Sequence, residues 1–293
     1  VTAGGRRSFR RLVTAALAVI AAAVAGASVG GFLAVREIAA SLPPPPDPAK
    51  VAVSTVVLDR EGKLLRPFTI ADGRWRLPVT RAEVDPRFLD MLVAYEDRRF
   101  AEHGGVDYGA LLRAAGQLVL AGGHIVSGGS TLTMQVARLL DGAPTRDAAA
   151  KLRQIVRARQ LEASLTKDEI LTLYLTLAPY GGNIEGVRAA SLAYFGKEPT
   201  RLTVAEAALL VALPQAPEAR RPDRDPEAAR AARDRVLDRV AAAGLITVEA
   251  AAAAKTEKVP TARRLFPVLA AHLGEQAVAA HPDAPVITLT VDR

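Results

Sequence analysis

The sequence predicts a mainly α-helical fold with a small N-terminal β element, carried behind one membrane-spanning helix. Three observations lead to that expectation. Aromatics make up only 4% of the chain while alanine and arginine are heavily used, a balance that favours helices over sheet. Helix start and stop signals recur from Asp85 to about Lys255. An uncharged apolar stretch near the N-terminus has the length that crosses a bilayer. With 293 residues, 50% of them hydrophobic, the chain can form one or two domains with a substantial core. It has no cysteine, which removes disulfides and thiolate metal sites without fixing a compartment.

The apolar stretch, LVTAALAVIAAAVAGASVGGFLAV, occupies residues 12–35 and follows a basic tail, 1–11, that carries Arg6, Arg7, Arg10 and Arg11. The first acid is Glu37, so these arginines hold more than half of the formal net charge of +7. A nucleic-acid binder would spread its excess along a groove-facing stripe. Here the excess lies beside an apolar segment, and no nucleic-acid partner is expected. The positive-inside rule places the tail in the cytoplasm and everything after the anchor outside it. A rival reading takes RRSFRR as a twin-arginine signal with Ala25-Gly26-Ala27 as its cleavage site. The length of the apolar run favours an uncleaved anchor, and both readings export the working part.

Residues 36–50 read as a linker. Its SLPPPPDP, from Ser41 to Pro48, is expected to be non-helical and to form a stiff extended spacer. VAVSTVVLDREGKLLRPFTI then suggests a hairpin turning at Asp59 to Gly62, and DGRWRLPV a further short strand. Asp85 as N-cap and Pro86 at the first helical position open a helix. Asp107 opens another that Gly122-Gly123 should end. Capping boxes stand at Thr166–Glu169 and Thr203–Glu206. Between them lies the glycine-rich loop APYGGNIEG, followed by a short helix ending near Gly196. PVITLTVDR reads as a strand. A main domain is expected over 51–250, with 251–293 a linker and the start of a further, truncated domain.

The first chemical signal is AYEDRRF. Glu96 follows Leu89, Leu92 and Val93 by seven, four and three positions, so it shares their apolar helix face. It is either a half-exposed glutamate paired with Arg99 or a lysine, or an acid or base whose pKa burial raises and Arg98 adjusts. SGGSTLTMQVARLL supplies backbone N–H groups and hydroxyls ahead of a helix carrying Gln135 and Arg138, an arrangement suited to anionic oxygen. Glycine-serine turns also begin many ordinary helices. The next helix carries Arg146, Lys151, Arg153, Arg157 and Arg159, either as a solvated face or as an electropositive wall against a phosphate-bearing substrate.

In order along the chain, EDRRFAEHGGVD, GGSTLTMQ, the basic helix with LEASLTKDEILTLYL, and GGNIEGVRAASLAYFGK resemble the signature motifs of the family 51 peptidoglycan glycosyltransferases. LLVALPQAPEARRPDRDP and ITLTVD are similar to the penicillin-binding protein 1C branch of the class A bifunctional members. The resemblance implies a mainly α, lysozyme-like fold that joins lipid II units into β-1,4 glycan strands and expels a lipid pyrophosphate. It makes Glu96 the base that takes the acceptor hydroxyl proton. Arg138, Arg146 and Lys151 would meet the pyrophosphate. Arg98, Phe100, Ser130, Thr131, Gln135 and Gln154 fall on substrate-binding positions.

Gln154 replaces a second glutamate of the family motif, and Thr176 an asparagine. The resemblance leaves room for a divalent cation (Mg2+ or Mn2+), a case that Gln154 weakens, and no residue is expected to ligate a metal. It further implies lipid II, the growing lipid-linked glycan, the membrane and other wall-synthesis proteins as partners, in a bacterial inner membrane with the catalytic domain in the periplasm. A lysozyme-like lytic enzyme or a non-catalytic, membrane-tethered scaffold are the alternatives. Ser164-Leu165-Thr166-Lys167 fits the S-x-x-K pattern of penicilloyl serine transferases, but Thr166 is committed as a helix cap and no K-T-G or S-x-N follows, so no transpeptidase activity is expected. The four histidines have no metal-binding spacing, and His103 is expected to shape the loop after Glu96.

Overall fold

The computed structural model describes residues 3–120, 129–142 and 147–292. It begins with one long helix, α1 (Ala3–Ser41). Within it, Ala21–Ser41 is long and apolar enough to cross a membrane by length and composition. The helix overruns the expected anchor because the residues after Val35 are mostly good helix formers. It stops where Leu42 precedes Pro43, whose ring disfavours a helical residue before it. The expected spacer is therefore shorter than 41–48. Ser41 ends the helix, and Pro48–Lys50 makes a 3-10 turn capped by Asp47, which accepts from the Ala49 amide.

The hairpin forms as expected from β1 (Val56–Leu58) and β2 (Leu64–Pro67), which pair antiparallel. Its turn is held by Asp59 Oδ1, which accepts from the amides of Glu61 and Lys63 at 2.8 Å each. Gly62 supplies the required left-handed backbone, with φ of 81°. β3 (Trp75–Arg76) fulfils the next strand expectation, pairing parallel with β4 (Ile184–Glu185). The sequence reading missed β4 inside the glycine-rich loop.

The helical body follows, from α2 (Pro86–Glu96), α3 (Tyr108–Leu120), α4 (Leu132–Asp141) and α5 (Ala148–Ser164) to α6 (Lys167–Leu177). It continues through α7 (Val187–Phe195), α8 (Val204–Ala212), α9 (Pro226–Ala242) and α10 (Val248–Thr256). The expected caps are in place at Asp85, Thr166 and Thr203, and Gly196 ends α7 in left-handed geometry. Asp107 Oδ1 accepts from the Ala110 amide at the start of α3. The expected end of α3 at Gly122-Gly123 lies outside the described residues.

At the centre is α8, almost wholly buried, with α2, α9, α7 and α10 packed around it. A helix apolar on every side is stable only when enclosed in this way. The boundary expected at 250 falls inside α10, whose Ala251 and Ala254 belong to the main core. Beyond it, α11 (Ala271–Ala280) forms where a linker was expected, and β5 (Val286–Thr288) falls within the strand expected in PVITLTVDR. β5 pairs parallel with β1, giving the sheet order β2-β1-β5. The sheet alternates as its period requires. Val56 and Leu64 enter the main core, while Val57, Leu65 and Ile287 form a second cluster with Ala277 and Val278 of α11.

Candidate active site

Glu96 is the last residue of α2, and the loop that follows fixes where its carboxylate points. Asp97, 6% exposed, turns inward and accepts from the Leu132 amide at 2.9 Å and from His103 Nε2 at 2.9 Å. These bonds tie the end of α2 to the start of α4. Thr131 strengthens the joint, since its hydroxyl accepts from the Met134 amide and donates to the Gly105 carbonyl at 2.6 Å. Gly105 has φ of 88°, and a Cβ there would meet the Ala158 carbonyl at 2.7 Å, so only glycine fits this crossing. His103 thus shapes the loop, as its place in the motif suggested.

The Glu96 carboxylate is half-buried. Gln135 Nε2 donates to Oε2 at 2.8 Å, and Gln215 Nε2 donates to Oε1 at 2.7 Å. Burial raises the Glu96 pKa above the ordinary carboxylate range, and the two amides, then Arg239 and Arg220, hold it down in part. Arg98, expected to adjust Glu96, is exposed on the wall of the cleft, while the cations acting on the carboxylate come from α9 and the segment after α8. Arg99 does not pair with Glu96 either. It is bound to Asp107. Beneath the site lies Tyr174, 1% exposed, whose pKa is held well above its usual value by burial and by the nearby Glu96 charge.

Glu96, Arg98, Ser130 and Thr131 line one cleft of about 520 Å3 with Tyr95, Arg113 and Arg239. Lys151 reaches Ser130 from α5, donating to Oγ at 2.7 Å and to Gln154 Oε1 at 2.9 Å. Desolvation, then the nearby Arg138, lowers its pKa to about 8. Arg138 is exposed and lines a neighbouring pocket of about 240 Å3 with Arg153, Asp141, Asp147 and Gln154. Gln154 is buried, and its Nε2 donates to the Met134 carbonyl at 2.6 Å. Arg146 lies outside the described residues.

Two expectations change. Phe100 is 6% exposed and packs in the core beneath the Lys167 ammonium, 4.5 Å from its ring, so it supports the loop rather than lining the cleft. The basic helix is not one continuous wall. Arg157, 3% exposed, donates to the Pro43 carbonyl at 2.5 Å, and Arg159 donates to the Tyr108 hydroxyl, while Lys151 is bound to Ser130 of the cleft and Arg153 lines the neighbouring pocket. A 17-residue helix presents its side chains around the full circle, so one face serves the site and the others pack elsewhere. The lysine of the S-x-x-K match is bound to Glu162 and the His103 carbonyl.

Sequence reasoning about the site missed Asp97, Gln215, Arg220 and Arg239. Gln215 and Arg220 stand in LPQAPEARR, one of the stretches that carried the family resemblance, so that signal was present. Arg239 is one of several arginines on α9, and nothing in the spacing separates it from the others.

Residues 61–241 match the family described as "Transglycosylase", and the chain belongs to that family. Among individual relatives, it is 53% identical to penicillin-binding protein 1C of Escherichia coli over 175 residues, covering 60% of this chain and 22% of that protein. It is 42% identical to penicillin-binding protein 1A of Pseudomonas aeruginosa over 166 residues, covering 57% of this chain and 20% of that protein. The chain thus spans about a fifth of the length of the curated relatives it matches. The crystal structure of penicillin-binding protein 1A from Haemophilus influenzae aligns with 80% of this chain and 25% of its own, at 22% identity and a TM-score of 0.41. At that overlap it adds nothing to the fold described above.

Proposed function

We propose that this chain is a peptidoglycan glycosyltransferase that polymerises lipid II into β-1,4 glycan strands with release of lipid pyrophosphate. One observation carries the reading: a half-buried glutamate with a raised pKa, held by two amides, lines the same cleft as Ser130, onto which the Lys151 ammonium is bound. Family membership and the similarity to penicillin-binding proteins 1C and 1A support it.

In the reaction, Glu96 takes the proton of the acceptor 4-hydroxyl as its oxygen bonds to the anomeric carbon of the donor. The bond from that carbon to the pyrophosphate oxygen breaks, and the electron pair leaves with the pyrophosphate. Negative charge grows on that oxygen, and Lys151 and Arg138 meet it. Arg98, Ser130 and Thr131 bound the sugar-binding space, and Thr131 also holds the loop.

A divalent cation does not fit the residues around Lys151. Gln154 Oε1 already accepts from an ammonium, Asp147 caps α5, and Asp141 faces Arg157. No group of three or more His, Cys, Asp or Glu is placed to hold a metal among the described residues.

The apolar part of α1 and the cell-envelope relatives favour a single-pass inner-membrane protein with its N-terminus in the cytoplasm and the cleft outside. The test is incubation of the chain and its Glu96→Gln variant with labelled lipid II. Polymer is expected from the parent alone. Glycan synthesis by the variant above about one per cent would remove Glu96 from the role of base, since a general base contributes about 10²–10⁴-fold.

A further inference from the structure

Gln215 ends the 3-10 turn Leu213–Gln215 directly after α8, and its side chain lies on the solvent side of Glu96, opposite Gln135. An amide can present either end to a carboxylate, and only the nitrogen end donates. Here the choice is made by Arg220. Its Nη1 donates to the Ala212 carbonyl at 2.7 Å and to Gln215 Oε1 at 3.1 Å. A guanidinium has donors only, so the oxygen of Gln215 must face it and the nitrogen must face Glu96. The buried carbonyl of Ala212 in turn anchors the guanidinium to the end of the central helix.

We propose that Gln215 and Arg220 are a positioning pair, in which the arginine orients the amide and the amide fixes one oxygen of the Glu96 carboxylate. Its chemical sense lies in the interposed amide. A guanidinium in direct contact with Glu96 would make an ion pair and hold the carboxylate ionised, weakening it as a base. With Gln215 between them, the cation orients Glu96 without forming that pair, and each carboxylate oxygen keeps a lone pair for the incoming hydroxyl proton. The other groups facing Glu96 are Gln135 on α4, Tyr174 on α6 and Arg239 on α9. Tyr95 and Glu96 on α2 act on Arg220 in return. Burial raises the pKa of Glu96, and hydrogen bonding by Gln215 and the Arg220 charge oppose that rise.

This inference rests on Glu96 being the base, and the experiment separates the two claims. Steady-state kinetics on lipid II across pH would be measured for the parent, Glu96→Gln, Gln215→Met, Arg220→Met and Arg220→Lys. Alongside, the carboxyl 13C signal of Glu96, assigned by its loss in Glu96→Gln, would be titrated in detergent.

Gln215→Met and Arg220→Met are each expected to lower kcat about tenfold or more with KM little changed, because misplacing a reacting group costs rate rather than binding. In both, the acid limb of kcat/KM and the Glu96 titration move to higher pH. Arg220→Lys keeps a donor for the amide and should stay within about threefold of the parent. If Arg220→Met matches the parent in kcat and acid limb while Glu96→Gln is inactive, the pair is overturned and the base stands. A loss in Arg220→Lys equal to that in Arg220→Met overturns the orienting role. If Glu96→Gln polymerises like the parent, the base assignment falls and takes this inference with it.

Discussion

Gln154 Oε1 accepts from the Lys151 ammonium at 2.9 Å, three residues away along α5, while its Nε2 donates to the Met134 carbonyl of α4. A neutral amide therefore stands beside the ammonium, at a position where the motif resemblance leads one to expect a carboxylate. The consequence is electrostatic. With no anion beside it, the partly buried ammonium loses more by desolvation than it recovers, and its pKa falls to about 8. Gln154→Glu supplies the missing anion and is expected to shift the high-pH limb of kcat/KM upward. It should also cost about tenfold in kcat/KM at neutral pH, because the added charge would oppose the departing pyrophosphate of the proposed reaction. An unchanged high-pH limb would contradict this account.

Lys151 itself should set that limb. Its ammonium is the working form, so activity is present below about pH 8 and is lost as pH rises through the lowered pKa. A bound pyrophosphate pulls the pKa up, so the limb in kcat should lie above the limb in kcat/KM. Lys151→Arg stays charged at every working pH and should abolish the limb while recovering only part of the rate, since a planar fork does not replace a compact charge. Lys151→Ala should lower kcat/KM roughly a hundredfold, comparable to losing one electrostatic donor. Kinetics from pH 6 to 10 would check each arm.

A third expectation concerns the stalk. Arg157 donates to the Pro43 carbonyl and lies 3.5 Å from Asp141, and Gln160 donates to the Ala39 carbonyl, so α5 grips the end of α1. Arg157→Met leaves a half-buried carboxylate and the stalk carbonyl without their cation. It should cost about 1–3 kcal/mol of stability. Proteolysis within residues 42–47 should become faster, because the extended segment loses its anchor. Equal melting temperatures and equal cleavage rates would show that the grip carries no weight.

Much of this was legible in the sequence, for local reasons. Asp85, Thr166 and Thr203 announce helix starts through chemistry confined to four residues, and all three cap as expected. Glu96 was legible because a carboxylate on an apolar helix face contradicts its surroundings. The joints were not. Asp97 acts across 35 residues to reach the Leu132 amide, and Gln215 acts across 119 to reach Glu96. No periodicity records such pairs, since each is created by packing. The same holds for β5, whose partner β1 lies at the other end of the helical body. Phe100 was misjudged because a motif position says that a residue matters without saying which way it faces.

The last prediction concerns α3. Tyr108, Leu112 and Leu120 stand out from it at 54, 75 and 90% exposure, spaced at four and eight residues. That spacing places Leu112 near the Tyr108 face and Leu120 somewhat further around, so the helix carries an apolar surface that water does not favour. The lipid-anchored substrate proposed above would give the surface a use, because the cleft wall at Asp107 and Ala110 adjoins the start of α3. Deleting residues 1–40 should therefore leave a protein that still binds liposomes. Leu112→Glu and Leu120→Glu together should weaken that binding by at least about a hundredfold, since each forfeits roughly 1.5–3 kcal/mol of apolar burial. The fold should be unaffected, as both side chains are exposed in it. Co-sedimentation with liposomes, read beside a melting curve, checks the prediction. Binding retained by the double variant would mean that another surface meets the lipid.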